Sequence, residues 1–150
     1  MSEYIYNAQQ EVLLNEPILF NDSIPCRKGY VVHENGEGVL ILRGIVNNPG
    51  SCYARYQVTY NGNIALPEGG TPAPIAVAIT VNGEPRAASK AIVTPAAAEE
   101  FNNVTSTTLI NVPRGCCFTV SVDSVVANAT DTPAPAIVAA NSNLVVRRVA

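Results

Sequence analysis

Charge is what this chain has least of. Only 14% of its 150 residues are Asp, Glu, Lys or Arg, where a soluble domain usually carries about a quarter. Nine basic residues against twelve acidic ones leave a net charge of −3, so the basic footprint of a nucleic-acid binder is absent and no nucleic-acid partner is expected. Histidine occurs once, at position 33. That excludes a His-ligated metal centre and leaves a Ser-His-Asp site only one residue to use. Tryptophan is missing and aromatics make up 6%. No apolar run approaches membrane-spanning length, because Pro, Gly or Asn interrupts each, so no membrane partner is expected. The opening stretch MSEYIYNAQQEVLLNEPILF has no basic segment followed by an apolar core, hence no signal peptide is expected.

The four cysteines, Cys26, Cys52, Cys116 and Cys117, follow no C-x-x-C spacing. Without a secretion signal they are not expected to form disulfides. Cys116 and Cys117 are adjacent, so on a strand they point to opposite faces. The expectation is that at least three of the four are small, buried, reduced hydrophobes.

What the chain does have is apolar alternation. Residues 73–85, APIAVAITVNGEP, place Ile75, Val77, Ile79 and Val81 on one side and Ala76, Ala78 and Thr80 on the other. Period-two alternation is a strand signal, and Asn82-Gly83 supplies the positive-φ pair of a type I′ hairpin. This strand is expected in the middle of the fold, its branched face in a core and its small face open to close approach by another layer. Residues 52–66, CYARYQVTYNGNIAL, alternate longest: Cys52, Ala54, Tyr56, Val58 and Tyr60 read as core, Tyr53, Arg55, Gln57 and Thr59 as the opposite face. Further strands are expected at residues 11–20, broken at Asn15-Glu16-Pro17, and at 29–33, 39–46, 87–94, 104–112, 116–126 and 136–149. In 116–126, Phe118, Val120 and Val122 face inward and Cys117, Thr119, Ser121 and Asp123 outward. Turns are expected at Glu34-Asn35-Gly36-Glu37-Gly38 and Asn47-Asn48-Pro49-Gly50, Pro-rich loops at 67–74 and 127–135, and a helical turn at AAAEEF, residues 96–101. With 47% apolar residues, eleven prolines and ten glycines, this predicts an all-β, two-sheet jelly-roll sandwich of about eight to ten strands. One domain spans 1–150, with 1–8 as an N-terminal arm.

The order of PGSCYARYQVTY, IAVAITVNGEP, VPRGCCFTVSV and NSNLVVRRV resembles the C1q and tumour-necrosis-factor-like jelly rolls, above all their bacterial and bacteriophage members, over roughly Ala8 to Ala150. Each piece is a strand pattern, and only their order is specific. The resemblance implies a ten-strand sandwich and a homotrimer about a three-fold axis. The chain departs from many such proteins in lacking a Gly-X-Y collagen stalk and tryptophan, so no calcium or receptor site is carried over.

No other constellation carries chemistry. His33 adjoins a turn and reads as a surface loop residue. Glu34, Glu37 and Asp22 lack Asp-x-Asp spacing for calcium, and Glu99-Glu100 reads as a solvated loop end. Asn103-Val-Thr105 and Asn128-Ala-Thr130 match glycosylation acceptors but, with no signal peptide expected, read as incidental. Gly69-Gly70 lacks the lysine of a phosphate loop, and Arg147 and Arg148 read as an interface pair or as blunting an edge.

The expected function is therefore a non-enzymatic structural protein, with no cofactor and no metal. It is a homotrimer attached to a capsid or other virion protein, as a bacteriophage capsid decoration or head-fibre protein on the virion surface. Tyr53, Arg55, Gln57, Thr119 and Ser121 are the candidate trimer interface. The alternative is a C1q-like binding module on a bacterial cell or spore surface that recognises glycan or protein through the 67–74 and 127–135 loops.

Overall fold

A computed structural model describes residues 1–25, 29–45, 50, 52–128 and 135–149. Two six-stranded antiparallel sheets face each other. The first contains β1 (Ser2–Tyr6), β2 (Gln10–Leu13), β3 (Asp22–Ile24), β6 (Tyr53–Ala65), β10 (Asn102–Pro113) and β12 (Ala136–Arg148), ordered β10-β6-β12-β1-β3 with β2 also on β12. The second contains β4 (Val31–Val32), β5 (Leu40–Arg43), β7 (Ile75–Val81), β8 (Glu84–Pro85), β9 (Ala91–Val93) and β11 (Cys117–Val125), ordered β4-β5-β11-β7-β8 with β9 also on β7. The described residues include no α-helix; residues 96–99 form a bend and a turn with Glu99 at a positive φ of 61° rather than the expected helical turn, and a 3-10 turn at Ala87–Ser89 leads into β9. The all-β jelly-roll expectation holds.

Alternation builds the core. Ala54, Tyr56, Val58 and Tyr60 of β6 are fully buried, and so are Ile110 and Val112 of β10, Leu144 of β12, Leu40 and Leu42 of β5, and Val77 and Ile79 of β7. Asn82 and Gly83 take positive φ of 51° and 85° and return the chain so that Val81 faces Glu84, the expected hairpin. Strand β7 is not half-buried, however. Ala76 and Ala78 are fully buried too, clustered with Val125 and Ala127. Lys90 sends its Nζ to the Ala127 carbonyl at 3.4 Å, which carries its methylene stem toward that small-residue patch.

Three expectations need correction. Residues 2–6 are not an arm: β1 pairs with β12 on one side and β3 on the other, because Ser2 and Tyr4 alternate into the interior. Cys52, Cys116 and Cys117 are free but exposed, not buried; they sit where β6 and β11 begin, past the last core rung. Cys26 lies outside the described residues, as do most of the 127–135 loop and of the 47–50 turn. Strand β12 is interior to its sheet, so Arg147 and Arg148 do not blunt an edge.

Candidate functional site

The outer face of the first sheet carries a run of polar side chains bonded across its strands. Strands β6 and β10 pair without a break from Tyr53↔Pro113 to Ile64↔Asn102. The inward residues alternate with an outward set, Arg55, Gln57, Thr59, Asn61 and Asn63, opposite Asn111, Leu109, Thr107, Thr105 and Asn103. These side chains bond to one another across the strands. Arg55 Nε donates to Asn111 Oδ1 and its Nη2 to the Tyr53 hydroxyl, both at 3.0 Å, with the guanidinium 5.3 Å from the Tyr53 ring centroid. Thr107 donates to the Val58 carbonyl at 3.1 Å, so Thr59 donates to Thr107 at 2.7 Å. Asn61 Oδ1 accepts from Thr105 at 2.9 Å and from Asn103 at 3.1 Å. Asn103 also reaches Asn63, and Asn63 reaches Asn141 at 3.4 Å. Further along, Asn143 donates to Glu3 at 2.7 Å.

Apolar residues stand within this lattice. Leu109 is 53% exposed and Ile24 59%, while Ile5 and Val145 are half-buried. Amides and hydroxyls already bonded to each other lose less on leaving water than free ones do. The face thus combines cross-bonded amides and hydroxyls with exposed Leu, Ile and Tyr.

The five candidate interface residues do not share this face. Tyr53, Arg55 and Gln57 lie on it, Gln57 between Leu109 and Arg147. Thr119 and Ser121 belong to β11 in the other sheet. Ser121 is buried and donates to Asp123 at 2.8 Å. Burial pushes the Asp123 carboxyl above its ordinary range, against the pull of the Ser121 and Thr80 hydroxyls; the Thr80 hydroxyl, itself buried, makes no hydrogen bond of good geometry. The asparagines went unread as a site in the sequence. The signal was there: N-x-N at 61–63 and N-x-T-x-T at 103–107 put every polar residue on one face of a strand.

Elsewhere the structure corrects His33. It is half-buried, not a surface loop residue. Its ring centroid lies 4.8 Å from that of Tyr4 and 6.4 Å from that of Phe20, and Nε2 donates to the Glu37 carbonyl at 2.8 Å. Arg148 stacks its guanidinium 4.2 Å over the Tyr30 ring. Among the described residues no group of three His, Cys, Asp or Glu is placed to hold a metal ion. Asn103 of the first glycosylation match belongs to the amide lattice, and the second match extends to Thr130, outside the described residues. A cleft of about 610 Å³ is lined by Leu66, Pro67, Gly69, Gly70 and Pro72 together with Pro135 and Ala136.

No family model matches the chain, and no curated protein matches it. Among solved structures it is similar to the globular domain of a zebrafish complement 1qA protein, with a TM-score of 0.59 at 9% identity over 95% of this chain and 92% of that one. At that identity the likeness establishes a C1q-like jelly-roll fold. A further match, the C-terminal domain of EclA, described as a sugar-binding protein, is 14% identical over 81% of this chain and 86% of that one, with a TM-score of 0.37.

Proposed function

We propose that this C1q-like jelly roll is a non-enzymatic structural module that forms a homotrimer and decorates a larger particle, as a capsid decoration or head-fibre protein on the surface of a bacteriophage virion. The observation that carries the reading is the outer face of the first sheet, with Leu109 and Ile24 more than half exposed inside a lattice of amides and hydroxyls satisfied by each other. A chain with 14% charged residues has little else with which to resist association. Closed three-fold symmetry covers such a face on every subunit without growing into a filament. Tyr53, Arg55 and Gln57 lie toward the axis. Thr119 and Ser121, on the far side of the sandwich, do not join that contact.

Light scattering on the purified protein tests the assembly. The expected mass is three times the 15.8 kDa chain, with roughly 2,000 Å² or more buried between neighbours. Leu109→Asp and Tyr53→Asp are expected to give monomers. A soluble monomer at micromolar concentration overturns the trimer; a trimer that survives both substitutions overturns the choice of face. Attachment is tested separately, by co-sedimentation with capsids of the phage whose genes adjoin this one.

The cleft lined by residues 66–73 with Pro135 and Ala136 favours a second reading, a binding module on a bacterial cell or spore surface. Its lining offers apolar edges and Glu68 but no aromatic ring on which a sugar could stack. Titration with glycans and peptides, read against a Gly70→Trp variant that fills the cleft, separates this reading from the first.

A further inference from the structure

Charge divides the outer face of the first sheet into two flanks. Strands β1, β2 and β3 lie to one side of β12, and β6 and β10 to the other. The outward positions of β1, β2 and β3 carry Glu3, Glu11 and Asp22 and no base. Those of β6, β10 and β12 carry Arg55 and Arg147 and no acid; Arg148 turns off this face onto the Tyr30 ring. Arg147 is the cross-strand neighbour of Gln57, which makes Arg55 its diagonal neighbour at about 7–8 Å, two like charges with no carboxylate between them. Glu3, opposite Val145, has Asn143 and Arg147 as its diagonals on β12, and its carboxylate accepts from the Asn143 amide at 2.7 Å. Arg55 donates to Asn111 and to the Tyr53 hydroxyl, and Asp22 accepts the Ser23 N–H. These partners are all neutral. Among the described residues, no charge on this face is paired with its opposite within the chain.

The exposed apolar residues divide the same way. Ile24, 59% exposed, edges the acidic flank on β3, and Leu109, 53% exposed, edges the basic flank on β10. Ile24 shares a rung with Glu3, and Leu109 shares one with Arg147 through Gln57. The two rungs are two residues apart on β12, about 7 Å along the strands. Each flank therefore presents an apolar edge beside a charge of one sign, at nearly the same height. We propose that the occupant of this face is a second copy of the chain in opposite-flank register: Ile24, Glu3 and Asp22 of one subunit against Leu109, Arg55 and Arg147 of the next. This register rests on the trimer proposed above and gives it a direction. A rotation axis along the strands keeps residues of equal height together and sets unlike flanks against each other. An axis across the strands would set acid on acid and base on base, a juxtaposition that excludes wrong pairings. Around a three-fold axis every subunit makes both contacts, and no flank is left over.

Two flank-reversed full chains test the register, Glu3→Lys with Asp22→Lys and Arg55→Glu with Arg147→Glu, beside a chain carrying all four substitutions. Sedimentation over a concentration series reads the assembly, and circular dichroism checks that each variant keeps its sheets. Each reversed chain is expected to need roughly tenfold more protein to assemble, or more, because like charges now meet. The chain with all four is expected to recover most of the unmodified assembly, because its flanks match again. A soluble monomer for the unmodified chain overturns the trimer and this register together. A trimer that both reversed chains keep leaves the trimer standing and overturns the register, as does a fourfold variant no better than its parents. Should a variant fail to fold, salt decides on the unmodified protein. About 0.5 M salt is expected to raise the concentration needed for assembly roughly three- to tenfold, and a trimer indifferent to salt overturns the register.

Discussion

At the residue scale, two buried aromatic contacts have measurable consequences. The Tyr60 phenol lies fully inside the sandwich and shares a hydrogen bond with Ser142 at 3.0 Å. Burial pushes its pKa from 10.0 up to about 12, against a smaller downward pull from Ser142. The folded state thus holds the proton more tightly than the unfolded chain does. This stabilisation is fully present below pH 10 and is lost as pH rises toward 12. Spectrophotometric titration should show the Tyr60 phenol still protonated above pH 10 and ionising toward 12, with unfolding over that window. In Tyr60→Phe the same window should contribute a shallower loss. His33→Ala is expected to cost about 1–2 kcal/mol in denaturant melts, since the ring contact with Tyr4 and the bond to Glu37 both go. A cost near zero would return His33 to the status of a loop residue.

At the element scale, β6 shows how closely strand packing constrains a single position. Gly62 sits on the inward side between Tyr60 and Ile64. A Cβ there would lie 2.9 Å from the Tyr60 ring carbon Cζ, tighter still against the hydroxyl, and 3.3 Å from the Ser142 Cα. Gly62→Ala should displace the Tyr60 hydroxyl from Ser142 and destabilise the protein by about 1–3 kcal/mol, the usual cost of overpacking, measured by thermal or denaturant unfolding. Most elements of this kind were legible in the sequence. The alternation in β6, β7, β10 and β11 and the Asn82-Gly83 turn identified strands, faces and fold class, because a period of two records which side is buried. What escaped was set by neighbours distant in the chain. Nothing in SEYIY says that β12 lies beside it, nothing near Cys52 or Cys117 says that the core ends one rung earlier, and nothing at His33 announces Tyr4. The Asn and Thr lattice was half legible, since the spacing was visible but the register that brings Asn61 to Asn103 was not.

At the scale of the whole molecule, β1 and β12 run side by side over Ser2↔Val146 to Tyr6↔Ser142, and β12 also pairs with β6. The first strand of the sandwich therefore waits for the last. During translation, a nascent chain that has already exposed the apolar faces of β6, β7, β10 and β11 can pair β1 only with β3, so the other flank of β1 and one flank of β6 stay open. Such unpaired edges are where chains aggregate or pair with each other. Acquisition of the native sheet is thus expected only after β12 clears the ribosome. Stalled chains ending before Ala136 should stay protease-sensitive, while chains with β12 fully emerged should become resistant in a single step. A protein made in many copies close together would then complete its sheets among siblings at the same stage, with synthesis and assembly overlapping in time.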